Sequence, residues 1–360
     1  MTFCALLNAF FSLLLLPALL FGGEDQLEKM SLDEKIAQLF VLPAAPFLGE
    51  AHLAQLEAII QKHSIGGFLC KQGTGAEHKA FAIRLNALSK IPPLLMRDAE
   101  WGAAQQLTDG KRFQSHNALG QLENKEEITV FGECIGLELK ELHVSLNLAP
   151  VVDLGSEGSF LIQRVFSSDP YAVALCAKNY LLGLKKAGVY GCLKHFPGHG
   201  FATGDSHLTL PRLETNLEIS LQPFRELIKE KGLIDFVMVA HLIVPAIDPD
   251  YPSTLSKKTV TELLKKEMGF SGLVITDALN MEALAKNYTP EEVGLLAYSA
   301  GNHFLLYGNH LEEGVRDILD NLFPRAFARL KKGFESGELS VAELDARVLQ
   351  ILSQKAKMAR

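Results

Sequence analysis

The segment Gly191-Cys192-Leu193-Lys194-His195-Phe196-Pro197-Gly198-His199-Gly200 runs from a short apolar stretch straight into a turn bearing glycine, proline and histidine. A brief apolar run of this kind reads as a strand buried on both faces, as parallel sheets require. Pro197, Gly198 and Gly200 then end the strand and permit tight, irregular backbone. Comparable runs flank it at 39–42, 67–70, 94–97, 146–152, 236–240, 273–276 and 304–306, which with 191–194 makes eight. Amphipathic helical periodicity fills the intervals at 51–63, 77–89, 126–142, 171–186, 217–231, 257–268 and 290–300. Ser31 and Glu34 have the spacing of a capping box for a lead-in helix. Eight strand-then-helix units imply a parallel sheet, and eight is the number at which such a sheet closes on itself. The expected fold is α/β, a (β/α)8 TIM-like barrel forming one domain over residues 31–360. It ends in a charged helical tail at 326–358, broken between Gly333 and Gly337. A doubly wound open sheet is the structural alternative.

The chain has 360 residues, a formal net charge of −7, and 48% hydrophobic against 21% charged residues. That balance is too apolar for disorder, and the acidic surplus argues against nucleic acid as a partner. Only the apolar stretch at 5–21 approaches the length of a membrane span, which excludes a polytopic membrane protein. With Gly22-Gly23 behind it, the stretch reads as a signal peptide over 1–23 or as an N-terminal anchor, the one route to a membrane. Both readings make the protein exported, periplasmic or membrane-anchored; initiation at Met30 would make it cytoplasmic. Cys4, Cys70, Cys134, Cys176 and Cys192 show no metal-binding spacing, and are read as buried free thiols.

In such a barrel the working face is the C-terminal end of the strands. The residues ending the runs form a candidate ring: Asp98, Glu100 and Trp101; Asp153 and Arg164; Lys194, His195, His199, Asp205 and His207; His241; Asp277; and Asn302-His303 at the entrance of the eighth. So many ionisable groups on one rim point to chemistry. Asp153 could instead cap a helix, Arg164 and Lys194 could be solvated charges, and Trp101 could serve packing or a sugar face. An idle carboxylate after the buried run ending at Thr276 would be costly to desolvate, which favours a task for Asp277. Asp205 and His207 are two apart, so an extended loop projects both the same way. A carboxylate beside an imidazole fixes its tautomer and raises its pKa, making His207 a usable proton donor.

The run from Lys194 to Gly200 with Asp205-Ser206-His207 resembles the KHFPGHG…DSH signature of glycoside hydrolase family 3, in its β-N-acetylglucosaminidase branch. Ile275-Thr276-Asp277-Ala278-Leu279-Asn280-Met281 resembles the family's nucleophile segment, and Asp98-Ala99-Glu100-Trp101-Gly102 its D-x-E-x-G turn. Met238-Val239-Ala240-His241 with Ser253-Thr254-Leu255-Ser256 resembles its AH…P-x-S-L-S stretch. The resemblance implies a retaining exo-β-N-acetylglucosaminidase acting on terminal β-linked GlcNAc of a small glycan or muropeptide. In it Asp277 is the nucleophile and His207, held by Asp205, the acid and then the base. Asp98, Arg164, Lys194, His195 and His241 would bind the sugar, and neither cofactor nor metal is required. Three positions depart from the family pattern: Gln106 stands where an Arg is usual, Phe201 where an acidic residue follows HG, and His303 where an Asp ends the A-G-x-D of the eighth strand.

Two other readings use the same residues. His195, His199, His207, His241 and Asp277 could compose a zinc or manganese site of an amidohydrolase-like barrel, although the first strand lacks a His-x-His pair. A wall-binding protein that kept the barrel and lost turnover would fit Gln106 and His303.

Overall fold

Short apolar runs bounded by glycine, proline or a charged residue become the strands. A computed structural model describes residues 23–155, 161–203, 210–308 and 312–359 of the chain. The apolar stretch at 5–21, Cys4 and the Asp205–His207 pair lie outside the described residues. Eight strands form: β1 Phe40–Ala44, β2 Gly67–Cys70, β3 Leu94–Arg97, β4 Leu146–Asn147, β5 Tyr190–Phe196, β6 Phe236–Val239, β7 Leu273–Thr276 and β8 Leu305–Leu306. Each pairs in parallel with its sequence neighbour from β1 to β7, and β1 also pairs with β8. A parallel bridge from Ile275 to Phe304 completes the circle. The sheet is therefore a closed (β/α)8 barrel rather than an open one.

Both faces of the strands are covered, as parallel strands require. One apolar cluster joins β1–β3 to the C-terminal helices, with Phe40 ring-to-ring against Phe323 at 5.1 Å. A second joins β5–β7 to the helices Ile128–Glu141 and Pro170–Ala187. Truncating a fully buried ring such as Phe40 would cost about 3–5 kcal/mol. The Ser31–Glu34 capping box forms, and the helix Pro290–Ala300 starts from a second box between Thr289 and Glu292. The tail folds as Phe323–Glu335 and Val341–Met358, separated at Gly337, whose φ of 79° is left-handed. Among the described residues no helix is long and apolar enough to cross a membrane.

Four expectations need correction. The run at 146–152 pairs as a strand only over Leu146–Asn147, because Pro150 has no N–H for the ladder; Val151 keeps a single bridge to Lys194. The segment at 257–268 is a π-type helix, Lys258–Glu267. Cys134 is exposed on its helix while Cys70, Cys176 and Cys192 are buried. Asn302 and His303 precede β8, so they lie at the end opposite the working face. There the Val274 amide donates to His303 Nδ1, and Nε2 lies 2.7 Å from Gln350 Oε1.

Candidate active site

A cavity of about 420 Å³ opens at the C-terminal ends of the strands, a size that suits a small ligand. Asp98, Glu100, Trp101, Gln106, Arg164, Lys194, His195, His199 and Asp277 all line it, together with Lys71 from the end of β2. The chain order of the barrel thus brings together residues that are far apart in sequence.

On one wall the charges pair. Lys194 Nζ sits 3.0 Å from Asp98 and 2.9 Å from Glu100, while Arg164 reaches Glu100 with Nη2 at 2.7 Å and Nε at 3.0 Å. Lys71 lies 3.5 Å from Asp98. Glu100 and Lys194 are almost wholly buried, so each needs the other's charge. Burial pushes the Asp98 carboxyl up, but Lys194 and Lys71 outweigh it and bring it down to about 2. Burial likewise opposes ionisation of Glu100, and Lys194 with Arg164 overcomes it, holding the carboxyl far below its ordinary value. The same pairs reverse the effect of burial on Lys194 and Arg164, which are both raised. Three N–H donors on an ammonium and five on a guanidinium exceed what these contacts use. Among the described residues, Lys194 and the Nη1 edge of Arg164 therefore keep donors for a ligand.

Beside this wall stands an Asp–His pair. Asp153 is fully buried in the loop after β4; its Oδ2 lies 2.7 Å from His195 Nδ1, and both its oxygens accept from the His195 amide at 3.3 Å. Its Oδ1 also accepts from the His199 amide at 2.6 Å. The carboxylate thus orients the His195 ring through Nδ1 and ties the start of the β5 loop to β4. Gly200 lies against the same loop, where a Cβ would come within 1.9 Å of the Leu154 carbonyl, so no other residue fits. Farther out, Thr203 and Arg212 exchange backbone hydrogen bonds of 3.0 and 3.1 Å, closing the base of the segment between them.

Asp277 follows β7 and presents a part-exposed carboxylate to the cavity. Its amide donates to the Val239 carbonyl at 2.9 Å, and its Oδ1 accepts from the Ala278 amide at 2.7 Å. Burial alone would favour the neutral acid. The charges of His241, His195 and Lys194, with the Ala278 amide, outweigh it and keep the carboxyl below its usual range. Such a group is an ionised carboxylate anchored by backbone at the cavity wall.

Five of the expected residues, Asp98, Arg164, Lys194, His195 and Asp277, meet around this one cavity. His241 is placed differently: it is fully buried, absent from the cavity lining, and its ring nitrogens engage Thr254 Oγ1 and the Ala278 carbonyl. It stands behind Asp277 instead of facing a ligand. Gln106 is on the wall, its Oε1 accepting weakly from the buried Arg97 at 3.4 Å, and Phe201 packs half-buried against the apolar clusters. Among the described residues no three His, Cys, Asp or Glu side chains gather as a metal-ligand cluster. Glu100, Asp153 and Lys71 carry more of the geometry than the sequence pattern assigned them. A carboxylate two residues after Asp98 and another at the end of the fourth run were the available signals.

The N-terminal domain profile of glycosyl hydrolase family 3 matches residues 31–354. The chain is 30% identical over 337 residues to the β-hexosaminidase LpqI of Mycobacterium tuberculosis, covering 89% of this chain and 82% of that protein. It is 35% identical over 279 residues to a β-hexosaminidase of Tolumonas auensis, covering 75% and 83%. A solved family 3 β-N-acetylglucosaminidase from Paenibacillus superposes with a TM-score of 0.81 at 29% identity. That match covers 92% of this chain, which spans 64% of the solved protein.

Proposed function

The chain belongs to glycosyl hydrolase family 3, and from that premise we propose that it is a retaining β-N-acetylglucosaminidase releasing terminal β-linked GlcNAc from peptidoglycan fragments. The observation that carries this reading is the ionised carboxylate of Asp277, anchored by backbone at a strand end, opposite a wall of buried, charge-paired donors. One Asp277 oxygen attacks C1 as the bond from C1 to the leaving oxygen breaks, and that oxygen takes a proton from His207. Water then attacks C1 while His207, held by Asp205, accepts its proton, and the ester bond to Asp277 breaks. Two inversions give net retention. Lys194, Arg164, Asp98 and His195 hold the hydroxyls and the N-acetyl group in line for attack. His207 belongs here because of its sequence context, a Gly-bearing loop beside Asp205. The apolar stretch at 5–21 supports action outside the cytoplasm, which cell fractionation tests.

Trapping with a fluorinated GlcNAc donor, followed by peptide mass mapping, tests the reading. A stable adduct on Asp277 is the expected result, absent from Asp277→Asn, which should keep its fold and lose at least roughly a thousandfold in kcat. Labelling at any other residue, or undiminished turnover by Asp277→Asn, overturns the assignment. For His207→Ala, a nitrophenyl glycoside should suffer far less than an alkyl one, since a good leaving group needs little protonation.

A further inference from the structure

His241 is fully buried, so the placement of its ring protons follows from the groups it touches. Nε2 lies 2.9 Å from the Ala278 carbonyl oxygen, which can only accept. Nδ1 lies 2.7 Å from Thr254 Oγ1. That hydroxyl owns one hydrogen and stands 2.7 Å from the Ala240 carbonyl and 3.3 Å from the Val239 carbonyl, both acceptors. Were only Nε2 protonated, Nδ1 would need the Thr254 hydrogen, leaving the oxygens of Thr254 and Ala240 opposed at 2.7 Å with no proton between them. Were only Nδ1 protonated, the Nε2 lone pair would face the Ala278 carbonyl. A ring protonated at both nitrogens supplies a donor to each of these contacts.

We infer that His241 is held as an imidazolium behind Asp277 and acts on the reaction through its charge, as a positioning residue that keeps the nucleophile ionised. The protonation rests on the hydrogen-bond count alone; its effect on turnover rests on the assignment of Asp277 proposed above. Among the described residues, the charged and titratable groups meeting around Asp277 are His241, which follows β6, Lys194 and His195 from β5, and His199 from the loop that follows. Asp277 is the counter-charge that lets a cation persist there. Among the influences favouring its ionisation, the charge of His241 ranks first. Forming the glycosyl ester neutralises Asp277 and leaves the imidazolium unpaired, whereas hydrolysing the ester restores the pair. The cation therefore opposes the first step and promotes the second.

Nitrogen-15 spectra of the histidine rings in the full chain test the protonation directly. One histidine should keep both ring nitrogens protonated past the ordinary imidazole range, and its signal should be missing from His241→Asn. A neutral pattern for that ring at pH 7 overturns the inference. Thr254→Val removes the Nδ1 acceptor and should make the ring turn neutral at lower pH; an unchanged titration overturns the count. In His241→Gln the acid limb of kcat/KM should move up by about one pH unit, with a larger burst of nitrophenol before the steady state. A limb that stays in place refutes the role on Asp277. If instead the fluorinated sugar labels another residue while the spectra show the imidazolium, the nucleophile assignment has failed and the protonation stands.

Discussion

Replacing Glu100 by Gln probes the charge wall most directly. Glu100 is wholly buried, and its two oxygens receive Lys194 at 2.9 Å and Arg164 at 2.7 and 3.0 Å. The neutral amide removes one of the two negative charges, Asp98 and Glu100, that face Lys194, Arg164 and Lys71. It also turns an NH2 group toward donors that need an acceptor. Breaking a buried ion pair on one side costs about 3–5 kcal/mol, against a total stability of about 5–15 kcal/mol. The variant should therefore fold, with a melting temperature roughly 6–10 °C lower, at about 2 °C per kcal/mol for a domain of this size. Urea and thermal unfolding measure it, with KM for a chromogenic glucosaminide as a second readout, since Lys194 and Arg164 lose their common anchor. Adding Lys194→Met should cost less than the sum of the single changes, by about 1–3 kcal/mol. A loss under about 1 kcal/mol, the value of an exposed pair, together with additive effects, would refute the claim that this network is a closed, buried unit.

Other outcomes are equally concrete. Asp153→Asn keeps the shape but weakens the hold on His195 Nδ1 and two amides; kcat/KM should fall about 10–100-fold, with about 1–3 kcal/mol of stability lost to urea. The Asp98 carboxyl is depressed from 3.8 to about 2, so its stabilising contribution is present above pH 3.8 and lost as pH falls toward 2. Asp98→Asn should flatten the stability profile in that window, as read by urea titration. Lys355 is buried with Gln38 Oε1 at 2.8 Å, and burial pulls its ammonium from 10.5 to about 7. Its folded value lies below its unfolded one, so its cost to stability is full below pH 7 and fades as pH rises to 10.5. Lys355→Met should remove the rise in stability between those limits, and an unchanged slope would show the amine to be charged in the native state.

Much of the barrel was legible because its strands are bounded by residues with strong local meaning. The runs at 67–70, 94–97 and 273–276 form strands with those same limits, as does the helix at 290–300 behind Thr289-Pro290. Pairing across the sheet decided the rest: β4 stops early because Pro150 offers no donor, although the apolar pattern continues to Val152. Asp98, Lys194 and Asp277 were readable as charged residues ending apolar runs. Glu100 and Asp153 were readable as ring members but not as anchors, because that role lies in partners 94 and 42 positions away, Lys194 and His195. His241 also ends an apolar run, and only the arrival of Thr254 and Ala278 turns its ring away from the cavity. Asn302 and His303 stand at the entrance of their run, and in a parallel barrel the entrance ends lie opposite the working face.

Two ties set the ends of the loop after β5. The first, at Asp153, fixes everything up to His199; the second, the bridge between Thr203 and Arg212, clamps the stems of whatever lies between them. With both stems tied, positions between them other than Asp205 and His207 can be varied while Asp277 and the charge wall stay in place. Diversifying those positions, with Asp205 and His207 kept fixed, is the economical way to breed new glycan selectivities from this barrel.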